Sequence, residues 1–251
     1  MKLISWNVRG FNGPGKYRML KNMIQQEQPY IVFMQETKCN TNTLESILSK
    51  AWERCQAVTV DATGASGGLA IAWNNQHISL TNFHASHYFI QAMFHLIGTN
   101  IHGHLTNVYS PQESTQKIRQ LETLEILNAP RPYPLWITGG DFNMIRRLEE
   151  KLGGRRKLDK ESNNFKDYIQ HSGLIDLPFD NVIYTWNNKR ASTQQIASRL
   201  DKFLIADNFV HLGGDVCASI LPLASLDHWP ISLQWKNLGK SNRRPFKFEA
   251  F

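Results

Sequence analysis

Ten short runs rich in β-branched and aromatic residues, at 3–6, 31–34, 57–60, 69–73, 89–94, 105–109, 135–138, 182–186, 199–205 and 231–235, constrain the fold of this chain more than any other feature. Each has the length and composition of a β-strand, and that many strands overfills one simple parallel sheet. Helical spacing occupies part of the sequence between them. Residues 16–26 place Tyr17, Leu20 and Ile24 on one face, residues 116–127 do the same with Ile118, Leu121 and Leu124, and residues 162–170 point Phe165 and Ile169 inward. Adjacent strands are often joined by short loops, so the sheets are expected to be mixed, with helices on their outer faces. The reading is an α/β fold of two packed sheets flanked by helices.

With 251 residues, 41% of them hydrophobic, the chain can bury a sizeable core. No break in composition divides it, so residues 1–236 are read as one domain and residues 237–251 as a linker-like basic tail. Lys and Arg number 28 against 21 Asp and Glu, a net charge of +7 that attracts polyanions, with nucleic acid the first candidate. Cys39, Cys55 and Cys217 are widely spaced and form no CxxC pair, which argues against a disulfide framework or a zinc finger and for a reducing compartment. No apolar run approaches the roughly 18 residues that a membrane-spanning helix needs, and the apolar part of the N-terminus is too short for a signal peptide. An intracellular protein that does not engage a membrane is expected.

Polar residues collect where apolar strands end. Asn7, Glu36, Tyr109, the segment Gly139-Gly140-Asp141-Phe142-Asn143 and the pair Asp227-His228 all follow or precede a strand-like run, where a side chain leaves the core for a cleft. Taken singly each has a bland explanation, because an Asn or Asp after a strand is usually a turn or a cap and a buried Tyr is usually core. Their joint occurrence is the signal. In Gly-Gly-Asp-Phe-Asn the glycines free the backbone to turn sharply and present Asp141 and Asn143 on the same side. Asp201 sits on an otherwise apolar strand, where an unpaired carboxylate is costly; it needs a partner, and His228 is a candidate. His84, His87, His95, His102 and His104 have no acid or cysteine interleaved and are read as surface or sheet-edge residues rather than a metal site.

In this order, Ser5-Trp6-Asn7, Gln35-Glu36-Thr37-Lys38, Asn107-Val108-Tyr109, Gly140-Asp141-Phe142-Asn143, Arg199-Leu200-Asp201 and Asp227-His228-Trp229-Pro230 resemble the exonuclease III and abasic-site endonuclease branch of the DNase I-like endonuclease/exonuclease/phosphatase superfamily. Asn7-Val8-Arg9-Gly10, the long loop before Ser198-Arg199-Leu200-Asp201 and the tail Arg244-Pro245-Phe246-Lys247-Phe248-Glu249 look like the endonuclease domains of plant LINE retrotransposons, in which a reverse transcriptase follows in the same polyprotein. The resemblance implies a four-layer αββα sandwich with its site at one end of the two sheets. It implies that Glu36 and Asp227 bind Mg2+, with Mn2+ as a substitute, and that Asp141 holds the attacking water. Asn143 and Asn7 would bind phosphate or water, Tyr109 a non-bridging oxygen, and His228, its tautomer fixed by Asp201, would act as base or as phosphate-binding cation. Three positions depart from the family pattern: Arg9 replaces an acid, Ser198 an aromatic that walls an abasic pocket, and Leu226 a serine.

Residues 146–160 carry Arg146, Arg147, Lys151, Arg155, Arg156, Lys157 and Lys160 against Glu149, Glu150 and Asp159, directly after Asp141-Phe142-Asn143. A solvated basic loop beside the site is expected to follow the DNA backbone, and Arg155-Arg156-Lys157 also reads as a nuclear-import run. Residues 187–195, rich in Asn, Gln, Lys and Arg between two strand-like runs, read as a hairpin tip. DNA contact is accordingly assigned to Arg9, Arg146, Arg147, Arg155, Arg156, Lys157, Trp186, Lys189, Arg190 and Arg199. The function expected is that of a monomeric nuclear nickase acting on double-stranded DNA. The competing readings are another phosphodiesterase or phosphatase of the same fold, and a DNA-binding retroelement remnant that no longer cuts.

Overall fold

Strand β1 (Lys2–Asn7) sorts its side chains between two interiors: Leu3 enters one hydrophobic cluster, while Ile4 and Trp6 enter another on the opposite face. A strand buried on both faces belongs to the middle of a layered structure. The computed structural model describes residues 1–11, 13–64, 66–129, 135–155, 157–190, 194–207, 209, 214–221 and 227–236. Arg156, Leu226 and the tail 237–251 therefore lie outside the described residues. The elements that follow β1 are α1 (Pro14–Glu27), β2 (Ile31–Gln35), α2 (Thr41–Ala51), β3 (Cys55–Thr63), β4 (Ser66–Asn74), β5 (Ile78–Ala85), β6 (Phe89–Leu96), β7 (His102–Tyr109), α3 (Ser114–Asn128), β8 (Leu135–Asp141), β9 (Lys151–Leu152), α4 (Lys160–His171), β10 (Leu174–Asp176), β11 (Trp186–Asn187), β12 (Ala197–Ser198), β13 (Asp201–Ala206), β14 (Asp215–Ile220) and β15 (Ile231–Lys236).

Two six-stranded mixed sheets result, with orders β14-β15-β1-β2-β4-β3 and β10-β13-β8-β7-β6-β5. In each, one central pair is parallel, β1 with β2 and β7 with β8, and the remaining pairs are antiparallel. The period-2 alternation builds three cores. Leu3, Phe33, Ile71, Ile90, Leu105, Ile137, Phe203 and Leu233 face the space between the sheets. Ile4, Trp6, Val32 and Met34 pack on the other side against Leu20, Met23, Ile24, Leu44 and Leu48 of α1 and α2. Val108, Phe142 and Leu204 pack against Leu121, Leu124, Phe165 and Tyr168 of α3 and α4. The layers are thus helix, sheet, sheet, helix, as expected.

Helix ends follow their local chemistry. Asn40 caps α2 by accepting from the Thr43 N–H at 2.9 Å, Asp159 caps α4 by accepting from Ser162 at 2.8 Å, and Gln28 closes α1 in the left-handed region. One expected strand needs correction, and several elements were not foreseen. Residues 182–186 form no strand until Trp186, and Val182 and Ile183 are exposed, so their β-branched composition found no sheet to join. The α2 helix was missed although Leu44, Leu48 and Ala51 carry helical spacing; β5 and β14 were missed because they sit at or next to sheet edges with few buried positions. The cysteines are free. Among the described residues no helix is long and apolar enough to cross a membrane.

Candidate active site

The parallel pairs β1–β2 and β7–β8 end side by side. Asn7 closes β1 opposite Gln35, with Glu36 the next residue, and Tyr109 closes β7 opposite Asp141, the last residue of β8. Asp201, the first residue of antiparallel β13, lies directly across the ladder from Asp141. His228 enters from the approach to β15. The topology therefore gathers Asn7, Glu36, Tyr109, Asp141, Asp201 and His228 at one rim of the two sheets. The glycines before Asp141 serve strand packing rather than the expected turn: a Cβ on Gly139 would lie 2.6 Å from the Phe203 ring, and one on Gly140, at φ +144, would lie 1.9 Å from the Val108 carbonyl oxygen.

Asn7 organises the acids. Its Nδ2 donates to Glu36 Oε1 at 2.9 Å and to Asp141 Oδ2 at 2.8 Å, while its Oδ1 accepts from the Arg9 N–H at 3.1 Å. Both amide protons are committed, so in this arrangement Asn7 positions carboxylates rather than offering a donor to phosphate. Asp141 Oδ1 accepts from the Asn143 N–H at 2.9 Å. Asn143 in turn donates to the Ser110 carbonyl at 2.8 Å and accepts from Gln112 at 3.1 Å. His228 lies between two acids, its Nδ1 3.0 Å from Asp201 Oδ2 and its Nε2 3.8 Å from Asp141 Oδ2. The partner expected for Asp201 is the one it has.

Burial sets the proton affinities. It pushes the Asp141 carboxyl up to about 6, with Asp201 adding to the rise and His228 and Asn7 opposing it. Burial disfavours the charged ring of His228, but Asp201 and Asp141 outweigh it and hold the imidazolium up to about 9. Burial, followed by the charges of Glu36 and Asp141 and a hydrogen bond to Glu36, raises the Tyr109 phenol well above its ordinary range, so it remains a neutral donor. Burial alone would raise Asp227, yet its hydrogen bond and ion pair with Arg9 keep it below the usual carboxylate range.

Strain concentrates here. Arg9, Glu36 and Asn143 are non-glycine residues in the left-handed region, at φ 48, 49 and 50, a conformation that costs on the order of 1 kcal/mol or more each. Backbone bonds impose it on Glu36. Its carbonyl accepts from the Gly10 N–H at 2.7 Å, and the next residues, Thr37 and Lys38, donate to the Gly68 and Gly67 carbonyls at 3.2 and 3.1 Å.

Asp141, Asp201 and His228 bring ligand atoms within 4.8 Å of one another, but this His is hemmed by two carboxylates and carries their counter-charge, which an incoming cation would have to displace. Glu36 and Asp227 suit a hard divalent cation better, because they themselves offer carboxylate oxygens with neither Cys nor neutral His beside them; the groups that face those oxygens here are N–H donors, from Asn7 and Lys38 on Glu36 and from Arg9 on both acids. Residues that sequence reasoning missed hold this rim together. Asn107, buried between the sheets, donates to the Met34 and Ala70 carbonyls at 3.1 and 2.8 Å and accepts from Gln35 at 2.6 Å, which also donates to Ser5 Oγ at 3.0 Å. Buried Thr185 accepts from the Leu200 and Asp201 N–H groups, both at 3.0 Å. Asn107, Gln35 and Ser5 stood inside the quoted motifs; Thr185 gave no local signal.

Beside the rim lies a cleft of about 500 Å³ lined by Arg9, Lys16, Trp186, Asn187, Asn188, Lys189, Arg190 and Asp227. The chain on either side of the expected hairpin tip pairs antiparallel over two residues, Trp186 opposite Ser198 and Asn187 opposite Ala197, while residues 191–193 of that tip lie outside the described residues. The described residues assigned to DNA contact do not share one environment. Arg9, Trp186, Lys189 and Arg190 line the cleft, and Arg147, Arg155 and Lys157 are exposed. Arg146 leans toward Asp176 at 3.6 Å. Arg199 is a correction: its side chain is 6% exposed and bonds Asp176 at 2.6 and 2.8 Å, Glu150 at 2.9 Å and the Leu177 carbonyl at 2.5 Å, so it belongs to the interior. Glu150 is likewise buried, also bonding Lys202 at 2.8 Å, so the basic loop is not solvated throughout. His104 departs from the surface reading as well, buried with its ring stacked 4.3 Å from Trp136.

No curated protein matches the chain in sequence. Among solved structures, an AP endonuclease from Archaeoglobus fulgidus superposes with a TM-score of 0.74 at 18% identity, covering 94% of this chain and 99% of that one. The 3′ phosphatase NExo from Neisseria, bound to a product DNA hairpin, gives 0.72 at 15% identity over 94% and 99%. The endonuclease domain of TRAS1, a telomere-specific non-LTR retrotransposon, gives 0.67 at 15% identity over 94% and 97%. These likenesses show a shared fold. The family model described as Endonuclease/Exonuclease/phosphatase matches residues 4–225, nearly the whole described chain, and the protein belongs to that family of phosphoester hydrolases.

Proposed function

We propose that this protein is a Mg2+-dependent endonuclease that nicks double-stranded DNA, leaving 3′-hydroxyl and 5′-phosphate ends, as the endonuclease domain of a LINE-type retrotransposon does. The observation that carries it is the bridging of Glu36 and Asp141 by one Asn7 amide, with the His228 ring set between Asp141 and Asp201, beside a cleft lined by Arg9, Lys16, Lys189 and Arg190. Asp141, its proton affinity raised toward neutrality, takes the proton of the attacking water. His228 serves as a fixed cation against the charge that grows on the phosphorus oxygens, with Asp201 orienting it, and Tyr109 donates a hydrogen bond. Glu36 and Asp227 would hold Mg2+, which when bound would neutralise phosphate charge and polarise the phosphorus centre.

The retrotransposon assignment is supported by Arg9 in place of an acid, by Ser198 in place of an aromatic wall, and by the structural likeness to the TRAS1 domain. On this reading the domain works as a monomer in the nucleus, within or derived from a polyprotein that also carries a reverse transcriptase. The test is nicking of supercoiled plasmid. Cleavage is expected with Mg2+ or Mn2+, to vanish in EDTA, and to fall by about 10²-fold or more in Asp141→Asn. Glu36→Ala should raise the Mg2+ concentration required. Cleavage unchanged by EDTA excludes the metal mechanism; release of phosphate from a 3′-phosphate end without nicking favours a phosphatase.

A further inference from the structure

Arg9 places a cation across Glu36 and Asp227, with Lys38 a second cation 3.6 Å from Glu36 alone, and the backbone imposes the direction of Arg9. The residue is left-handed, at φ 48. Its own N–H is tied to Asn7 Oδ1 at 3.1 Å, and the N–H of Gly10 to the Glu36 carbonyl at 2.7 Å. From there the side chain crosses both acids, with Nη1 2.5 Å from Asp227 Oδ2 and Nε 3.7 Å from Glu36 Oε1. These are the carboxylates that suit a divalent cation. The guanidinium is nonetheless 43% exposed and opens onto the cleft that holds Lys16, Lys189 and Arg190.

A divalent ion of the Mg2+ class takes carboxylate oxygens at about 2.1 Å. An oxygen that already faces a guanidinium presents its lone pair to an N–H, and a second cation a few ångströms from the first meets strong repulsion in a partly buried site. Guanidinium and metal ion therefore exclude each other at this acid pair. The cleft beside it, which Lys16, Lys189 and Arg190 also line, is a neighbouring destination for a displaced guanidinium.

We propose, on the hydrolase reading above, that Arg9 couples metal binding to DNA capture: its guanidinium closes the Glu36–Asp227 pair while no divalent cation is held, and passes to a DNA phosphate in the cleft when one is. The apparent metal affinity of the free protein is then the intrinsic affinity reduced by the fraction of time that Arg9 is away. By linkage, metal tightens DNA binding by the same factor as DNA tightens metal binding. Arg9 is in this sense a positioning residue whose two partners are an acid pair and a phosphate.

The experiment has two arms. Mn2+ is titrated calorimetrically into the wild-type protein, Arg9→Gln and Arg9→Lys without DNA, and melting curves verify that each is folded. Arg9→Gln should bind Mn2+ about 10-fold more tightly or better, with Arg9→Lys between. In the second arm, binding of a short duplex is measured by fluorescence anisotropy with and without Mn2+, in an Asp141→Asn background that stops cleavage. Mn2+ should tighten duplex binding strongly when Arg9 is present and by a clearly smaller factor in Arg9→Gln. If Arg9→Gln does not fold, Arg9→Lys carries both comparisons. Equal or weaker Mn2+ affinity without the arginine, with metal-dependent nicking intact, overturns the coupling alone. No Mn2+ binding by any of the proteins overturns the metal-hydrolase reading and this inference with it.

Discussion

Asp141 and Asp201 face each other across the β8–β13 ladder, and the His228 ring separates them, 3.8 Å from the first carboxylate and 3.0 Å from the second. Two like charges directly opposite on neighbouring strands repel. The imidazolium between them turns that repulsion into a three-membered charged unit: burial and Asp201 raise Asp141, His228 opposes that rise, and the two acids in turn raise His228.

Residues that act as a unit lose function non-additively. The double variant Asp201→Asn, His228→Ala should nick plasmid hardly more slowly than His228→Ala alone. Additive losses in log rate, measured at saturating DNA and Mg2+, would show that the carboxylate acts apart from the ring.

The interior ion cluster around Arg199 is expected to dominate stability near the site. Arg199 and Lys202 are compensated there by Glu150 and Asp176. Asp176→Asn leaves buried cations under-compensated and should cost about 3 kcal/mol, seen as a melting temperature lower by roughly 10 °C. Burial would raise both carboxyls, but the surrounding cations and hydrogen bonds hold Glu150 and Asp176 below their ordinary values. Their contribution is therefore complete above the ordinary carboxylate range and is lost as the pH falls through the lowered values of the folded state. Asp176→Asn should flatten the acid side of the stability profile; parallel curves for the two proteins from neutral pH to pH 3 would count against this.

If Arg147, Arg155 and Lys157 follow DNA phosphates, neutralising them should weaken binding to every sequence alike and flatten its salt dependence by about 0.9 in log-log slope per lost contact. Turnover at saturating DNA should change little. Arg199 is excluded from this set by its burial. An unchanged salt slope would return these residues to the status of a solvated face.

Shortening the β11–β12 connection to a two-residue turn removes Lys189 and Arg190 from the cleft while keeping the Trp186–Ser198 pairing. Nick positions on a long duplex should redistribute more than the total rate falls, with the intact protein favouring pyrimidine-purine steps, which deform at lower cost. A pattern indifferent to the loop, or a strong preference for a synthetic abasic site over undamaged duplex, would defeat the retrotransposon-type reading.

From the residues alone, the near-continuous apolar character of runs such as 3–6, 31–34 and 69–73 already pointed to sheets covered on both faces, and the polar residues at their ends already marked where a cleft would open. Those are local properties, because an apolar run and the identity of a strand's last residue are written in consecutive positions. The role of each charge was decided elsewhere. Arg199 adjoins Asp201 by two positions and was assigned to DNA, yet it turns inward because Asp176 and Glu150, 23 and 49 residues away, meet it there. Arg9 reaches Asp227 across 218 residues, Asn7 reaches Asp141 across 134, and Asn107 joins the two sheets through Gln35, Met34 and Ala70. Whether a charged or amide group is paired, buried or free depends on distances of a few ångströms between strands far apart in the chain. Only the packing of the two sheets sets those distances.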